Sequence, residues 1–352
     1  MYIVGRRVEV LALSHRSNPF PHTVIQSDTT GLPVANFTPG ERGGRGEPAN
    51  KGRVSAEAAS PKLCVVVVAL AQGSHLTRCL AALRHQAAAP AMEVIVPHDD
   101  HLPDVDALRE IFPAVNFLHL PGRHTYAELR AAALRASRGP LVAITEDQCI
   151  PPERWCANVV QAHANPAAAI GGPVEKLEPD RPLNWALYLR ELGTYMPPLN
   201  EGPRAALTDC NVSYKRAALD DIADVWAASF HEPQVHAALQ ARGHTLWLSP
   251  ALLTFQQRSL RFGSALAERY AFGRLYASLR AATLSPSKRL GMIVASPFLP
   301  ALLLVRVVVG VLRKRRHVMA CITAFPYLVL FAAVWAWGEF LGYLTGHPAD
   351  SR

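Results

Sequence analysis

With 352 residues, half of them apolar, the chain can bury the core of one large α/β domain plus appendages, or of two modest domains. Its formal net charge of +8 comes from Arg and Lys concentrated towards both ends, which points to a membrane surface or an anionic ligand. No RNP-like strand, zinc-finger spacing or recognition-helix pattern accompanies the basic residues, so nucleic acid is not an expected partner. Cys64, Cys79, Cys149, Cys156, Cys210 and Cys321 contain no C-x-x-C pair and read as reduced, mostly buried thiols rather than as a zinc site or a disulfide framework.

Residues 1–60 carry Pro, Gly, Arg, Ser and Asn without periodicity, and include Pro39-Gly40-Glu41-Arg42-Gly43-Gly44-Arg45-Gly46. This is the composition of a disordered leader. The first thirteen residues are broken by Arg6, Arg7 and Glu9, so they make a poor signal peptide, which keeps the following domain on the cytoplasmic side.

Folding signals begin at Leu63. The run Leu63 to Leu70 is β-branched and uninterrupted, as a strand buried on both faces requires, and Ser74 can cap a helix with Leu76, Leu80 and Leu83 on one side. Glu93 to Val96 is a second strand ending in His98-Asp99-Asp100, Val115 to Leu120 a third, and Tyr126 to Ser137 an Ala-rich helix. Leu141 to Thr145 is another continuous apolar run that stops at Glu146-Asp147-Gln148. Pro151-Pro152 beyond it suits the first turn of a helix. Such alternation predicts a parallel-dominated sheet covered by helices, whose ligand crevice lies outside the carboxyl ends of the strands. Acids stand at two of those ends, although an acidic pair before Pro-Pro is also an ordinary strand-to-helix loop.

Downstream, Ala167 to Val174 reads as a strand broken by Gly171-Gly172, Leu183 to Thr194 as a helix, and Thr208 to Tyr214 as a further strand. His231-Glu232 precedes a helix running from Pro233 to a glycine stop at Gly243, and Thr245 to Leu248 returns as a strand.

Taken together, this order resembles the family-2 glycosyltransferases with the GT-A fold. The resemblance rests on Cys64 to Gln86, on the strand Glu93-Val94-Ile95-Val96 with its following acids, and on the segment Leu129 to Trp155 (LRAAALRASRGPLVAITEDQCIPPERW). It extends from about Leu63 to Arg280. It implies that Asp99 binds the nucleotide base, that Arg130 approaches the donor, and that Glu146 and Asp147 hold the ribose and, with Gln148, a divalent cation. The cation would be Mg²⁺ or Mn²⁺, bridging the diphosphate of the leaving group. It further implies that Glu232 is the general base and that Asn211 lines the acceptor side. Three positions depart from the pattern: Gln148 replaces an acid, Ala131 an asparagine, and His231 the first acid of the later pair. A neutral amide binds a hard cation more weakly than a carboxylate, so metal dependence is the implied property most exposed to test. Glu232, before a proline at a helix start, is also an ordinary partner for the helix dipole.

Arg261 to Arg280 mixes arginines with Tyr270, Phe272 and Tyr276, fitting a diphosphate clamp, anionic lipid or a solvated amphipathic helix. Two apolar stretches follow, Gly291 to Leu312 and Val318 to Trp337, separated by Arg313-Lys314-Arg315-Arg316-His317. Each is long enough to cross a bilayer, but two crossings would put the basic cluster outside, against the positive-inside rule. Pro297, Pro300 and Arg306 also burden the first stretch. The expectation is therefore an interfacial or re-entrant first segment and one crossing, with Trp335 and Trp337 near the far interface and a site after His347 reachable from outside.

The expected organisation is a leader over 1–60, a GT-A-like α/β domain over 61–282 and a membrane-associated region over 283–352. The expected function is inverting transfer from a UDP- or GDP-type sugar to a hydroxyl of a lipid-linked or envelope glycan acceptor, at the cell membrane, as in polysaccharide biosynthesis. The alternative is a non-catalytic, glycosyltransferase-like membrane scaffold or nucleotide-sugar-binding protein with a degenerate acidic motif, since fold alone does not fix function. A transporter is excluded, because two apolar stretches lack the repeated spans such folds need.

Overall fold

The computed structural model describes residues 60–69, 74–177, 180–282 and 284–347. The expected leader, but for its last residue, and the site after His347 lie outside the described residues. The strands β1 (Leu63–Val68), β2 (Met92–His98), β3 (Val115–His119) and β4 (Leu141–Glu146) are joined by the helices α1 (Ser74–Arg84), α2 (Val105–Ile111) and α3 (Tyr126–Ala136). They lie in the order β3-β2-β1-β4, all parallel. Every side chain of β1 is buried, the reason its sequence is one unbroken apolar run. Helix α3 starts on a reciprocal cap in which the Thr125 hydroxyl accepts from the Glu128 N–H while the Glu128 carboxylate accepts from the Thr125 N–H.

After β4 come β5 (Cys149–Ile150), α4 (Trp155–Ala162), β6 (Ala169–Gly171), β7 (Val174–Lys176) and α5 (Pro182–Glu191). Then follow β8 (Gly202–Arg204), β9 (Asn211–Lys215), α6 (Arg216–Asp220), α7 (Ala223–Trp226), α8 (Glu232–Ala241), β10 (Leu246–Leu248) and β11 (Thr254–Gln256). The main sheet continues past β4 as β9-β6-β10-β8, with β9 antiparallel to both β4 and β6. A smaller sheet is ordered β5-β11-β7. The single strand expected over Ala167 to Val174 is split between the two sheets. The split falls at Gly172, where an added Cβ would lie 1.9 Å from the Leu252 carbonyl oxygen, so only glycine passes there. Pro151 and Pro152 precede α4 rather than sit in its first turn. The chain is still extended there, because Cys149 and Ile150 pair with β11.

The C-terminal third is helical: α9 (Phe262–Ala281), α10 (Pro286–Ala295), a 3₁₀ turn at Ser296–Phe298, α11 (Leu299–Lys314) and α12 (Val318–Thr345). Pro286–Lys314 and Val318–Thr345 are long and apolar enough to cross a membrane. Helix α12 runs along α9 at close range. A Cβ on Gly273 would meet the Trp335 carbonyl oxygen at 2.5 Å, and one on Gly338 the Tyr270 carbonyl oxygen at 2.4 Å. Its first half shares one apolar core with α5, in which Cys321, Ala324, Leu328 and Phe331 meet Leu183, Trp185 and Leu189. Trp335 was expected at a far membrane interface. Its ring lies beneath the Arg190 guanidinium of α5, 4.8 Å away, and beside Tyr276. All six cysteines are free and buried, as expected.

Candidate active site

Strand β4 carries Glu146 to the carboxyl edge of the sheet, α3 presents Arg130 from its buried face, and α8 opens with Glu232. The three meet. One Arg130 nitrogen contacts the Glu232 carboxylate closely, and the other lies 3.2 Å from Glu146 and 3.8 Å from Asp209, in the turn before β9. Arg130 and Glu232 are both buried, at 6% and 9% exposure. Three carboxylates therefore share one guanidinium, and a single cation cannot offset their mutual repulsion and desolvation. Burial, aided by Asp209, pushes the Glu146 carboxyl well above its usual range despite Arg130. Glu232 is raised to about 6, by burial first, against the lowering pull of Arg130. Burial would lower the Arg130 value, but Glu232, Asp209 and Glu146 together outweigh it and raise it.

This cluster lines a pocket of about 970 Å³. Its other walls come from α5, α8, α9 and α12, and include Glu191, His236, Arg258, Phe272, Tyr276 and Trp335. Arg258 contacts Glu191 and Glu268, each at 2.6 Å, and Arg269 contacts the same two acids at 2.6 and 3.3 Å. Two cations against two anions make this network internally balanced. Burial alone would raise Glu191, but Arg258 and then Arg269 hold it below the ordinary carboxylate value. The network braces α5 and α9 rather than offering spare charge to a ligand.

Of the residues expected from sequence, Arg130, Glu146, Gln148 and Glu232 line this pocket. Asp99 and Asp147 do not. Asp99 is held by its own loop, accepting from the His101 and His124 backbone N–H groups, and these bonds keep its carboxyl below the usual value although burial opposes them. Asp147 is fully buried beneath the strand tips. Tyr126 connects the two groups of acids. It lines the pocket with 43% of its surface exposed; its hydroxyl, set inward, is pushed above the ordinary value by burial of that end and then by Asp147, Glu146 and Asp99.

Asn211 is a correction. Its amide nitrogen donates to the Pro173 and Leu252 carbonyls at 3.0 and 2.6 Å, and its oxygen accepts from the Trp155 indole at 3.1 Å. Those three bonds engage the side chain in the core, and it is not among the residues lining the pocket. Sequence alone does not single out Asp209, Glu191, Arg258 or Glu268, whereas Arg269 belongs to the Arg261 to Arg280 segment, for which a diphosphate clamp was one expectation. Asp209 fell inside the strand expected over Thr208 to Tyr214, which begins only at Asn211, and nothing in the spacing of Glu191, Arg258 and Glu268 marks them as partners.

For a divalent cation, no group of three or more His, Cys, Asp or Glu side chains is placed to ligate one among the described residues. Mg²⁺ and Mn²⁺ sites built on substrate phosphates need only one or two protein carboxylates, the remaining positions being phosphate and water. Three carboxylates against one guanidinium leave the pocket short of positive charge, so Glu146, with Gln148 beside it, fits a cation that arrives with a diphosphate. Asp147, outside the pocket lining, fits that role less well.

Residues 64–223 match the family described as Glycosyl transferase family 2. Among similar solved structures is the mannosyltransferase PcManGT from Pyrobaculum calidifontis in complex with GDP-Man and Mn²⁺. It is 18% identical, with 84% of this chain and 89% of that chain covered and a TM-score of 0.44. GalNAc-T7 with UDP, GalNAc and Mn²⁺ is 12% identical, with 65% of this chain and 52% of that chain covered, also at a TM-score of 0.44. No curated protein sequence matches the chain. The α/β sheet and its acid-lined pocket define a glycosyltransferase of the GT-A fold, an enzyme acting on a nucleotide-sugar donor. Within that class, the match to family 2 spans the sheet-forming segment, just under half of the chain.

Proposed function

We propose that this enzyme, attached to the cell membrane with its catalytic domain on the cytoplasmic side, transfers a sugar with inversion from a nucleotide-sugar donor to a hydroxyl of a lipid-linked or envelope glycan acceptor. The observation that carries the reading is Glu232, a pocket carboxylate with a value raised to about 6 and contacted by Arg130. A base of that strength is largely ionised at neutral pH and still accepts a proton readily. Glu232 takes the proton of the acceptor hydroxyl as its oxygen bonds to the anomeric carbon. The bond from that carbon to the donor phosphate breaks on the opposite face, and the electron pair leaves with the nucleotide diphosphate. Arg130 holds Glu232 and Glu146 at a fixed separation, which makes it a positioning residue. A divalent cation, when bound, neutralises the departing diphosphate. Glu146, which lines the pocket, is the nearer candidate for the donor ribose, and Asp99 and Asp147, outside the lining, would reach the donor only if the loops over them move. Membrane attachment is supported by the exposed apolar faces of α10 to α12 and favours an amphiphilic acceptor.

A donor screen by product mass spectrometry, on membranes from expressing cells with and without chelator, tests the reading. A glycosylated lipid product that disappears in Glu232→Gln supports it. Turnover unchanged in that variant overturns the assignment of the base.

A further inference from the structure

The apolar C-terminal helices are bonded to the catalytic domain at both ends. At the basic turn, Arg316 and His317 both reach Glu175 of β7, at 2.8 and 2.9 Å, and the Lys314 ammonium donates to the Thr194 and Met196 carbonyls after α5. From Val318 to Trp335 the helix rises about 26 Å, close to the hydrocarbon thickness of a bilayer. Yet Trp335 still packs under Arg190 of the catalytic domain and lines its pocket. An upright helix would touch the domain at one end only. Beyond Trp335, α12 stays against α9, whose Arg274 donates to the His347 carbonyl at 3.2 Å, so crossing would drag α9 and its arginines into hydrocarbon.

What remains unpartnered is one long apolar surface, formed by α10 and α11 with exposed Leu290, Val294, Phe298 and Val305, and by α12 with exposed Met319 and Ile322. Exposed Lys288, Arg306, Arg313 and Arg315 accompany it. An apolar face with interspersed cations matches an anionic phospholipid leaflet, in which such helices lie at the boundary of headgroups and acyl chains. We propose that α10 to α12 form a monotopic anchor that beds into a single leaflet, with no segment crossing the bilayer. This rests on the membrane attachment proposed above, and replaces the single crossing expected from hydropathy. It also keeps the basic turn on the side of the catalytic domain, in line with the positive-inside rule.

The test uses three full-length single-site variants, Asp106→Cys on α2, Arg315→Cys at the turn and Thr345→Cys at the end of α12. All native cysteines are buried, so background labelling is low. Sealed inverted vesicles and sealed right-side-out vesicles are treated with a membrane-impermeant maleimide. The expected result is that all three positions react in inverted vesicles and none in right-side-out ones. Labelling of position 345 from the face opposite to position 106 shows one crossing, and of position 315 from the opposite face a crossing hairpin; either overturns the proposal while leaving membrane attachment intact. Recovery of the protein outside the membrane fraction overturns both.

Discussion

Arg130 is the residue whose removal tests the site most directly. In Arg130→Met the aliphatic stem is kept and the guanidinium lost, leaving Glu146, Asp209 and Glu232 without their shared cation. Removing one partner of a buried ionic cluster costs about 3–5 kcal/mol when the remaining charges stay ionised. They need not stay ionised. Glu232 already stands at about 6 against an ordinary 4.5, a rise worth about 2 kcal/mol, and losing Arg130 removes a lowering influence from it and from Glu146. A carboxyl raised in the folded state makes the fold hold more protons than the unfolded chain, so stability falls as pH rises from the unfolded value through the folded one. The variant should therefore lose the full ~3–5 kcal/mol near pH 8, and less than about half of that near pH 5, where protons replace the missing charge. Urea unfolding of the detergent-solubilised protein, followed by tryptophan fluorescence at both pH values, reads the two deficits. Equal deficits, or a larger one in acid, would refute the account of three carboxylates sharing one cation.

Turnover should fall on the acid side with a limb near pH 6, as Glu232 takes up its proton, and Glu232→Gln should lower kcat by about 10²–10⁴. A profile flat from pH 5 to 8 contradicts the role of Glu232 as base. Gly338→Ala would gain about 1 kcal/mol in a free helix, but here its methyl meets the Tyr270 carbonyl at 2.4 Å, so a net loss of about 1–2 kcal/mol is expected in thermal unfolding. A rise in Tm would show that α9 and α12 do not pack this way. Asn211→Ala leaves the Trp155 indole and the Leu252 carbonyl without these partners, while the Pro173 carbonyl keeps the Thr254 N–H, and should cost about 2 kcal/mol. Its acceptor KM should stay near the parent value; a rise of tenfold with unchanged stability would return Asn211 to the acceptor side.

The parallel half of the sheet was legible because β1 and β4 are buried on both faces and so carry uninterrupted β-branched or apolar runs. The strands β5, β8 and β11 have two or three residues, too few to establish a period, and exist only through their partners. Within the site, Glu146, Arg130 and Glu232 were found through the resemblance, yet their convergence depends on tertiary packing that joins residues up to 102 positions apart. Asn211 misled because a polar residue in a strand looks the same whether it faces a ligand or satisfies buried carbonyls. The packing of Trp335 against Arg190 was not legible because hydropathy treats an apolar helix as free. The spacing Gly338-x-x-x-Gly342, which lets helix backbones approach closely, was the available signal that α12 had a partner.

The contact of Trp335 with the pocket has a practical corollary for where this enzyme begins and ends as a working unit. A fragment stopped at residue 223, where the family match ends, lacks Glu232, and one stopped after α9 lacks the side of the pocket that Trp335 forms. Pocket and C-terminal helices are thus one machine part, and if α12 beds in lipid as proposed, whatever loosens it there, from detergent choice to acyl-chain length, should register as a change in turnover before it registers as release from the membrane.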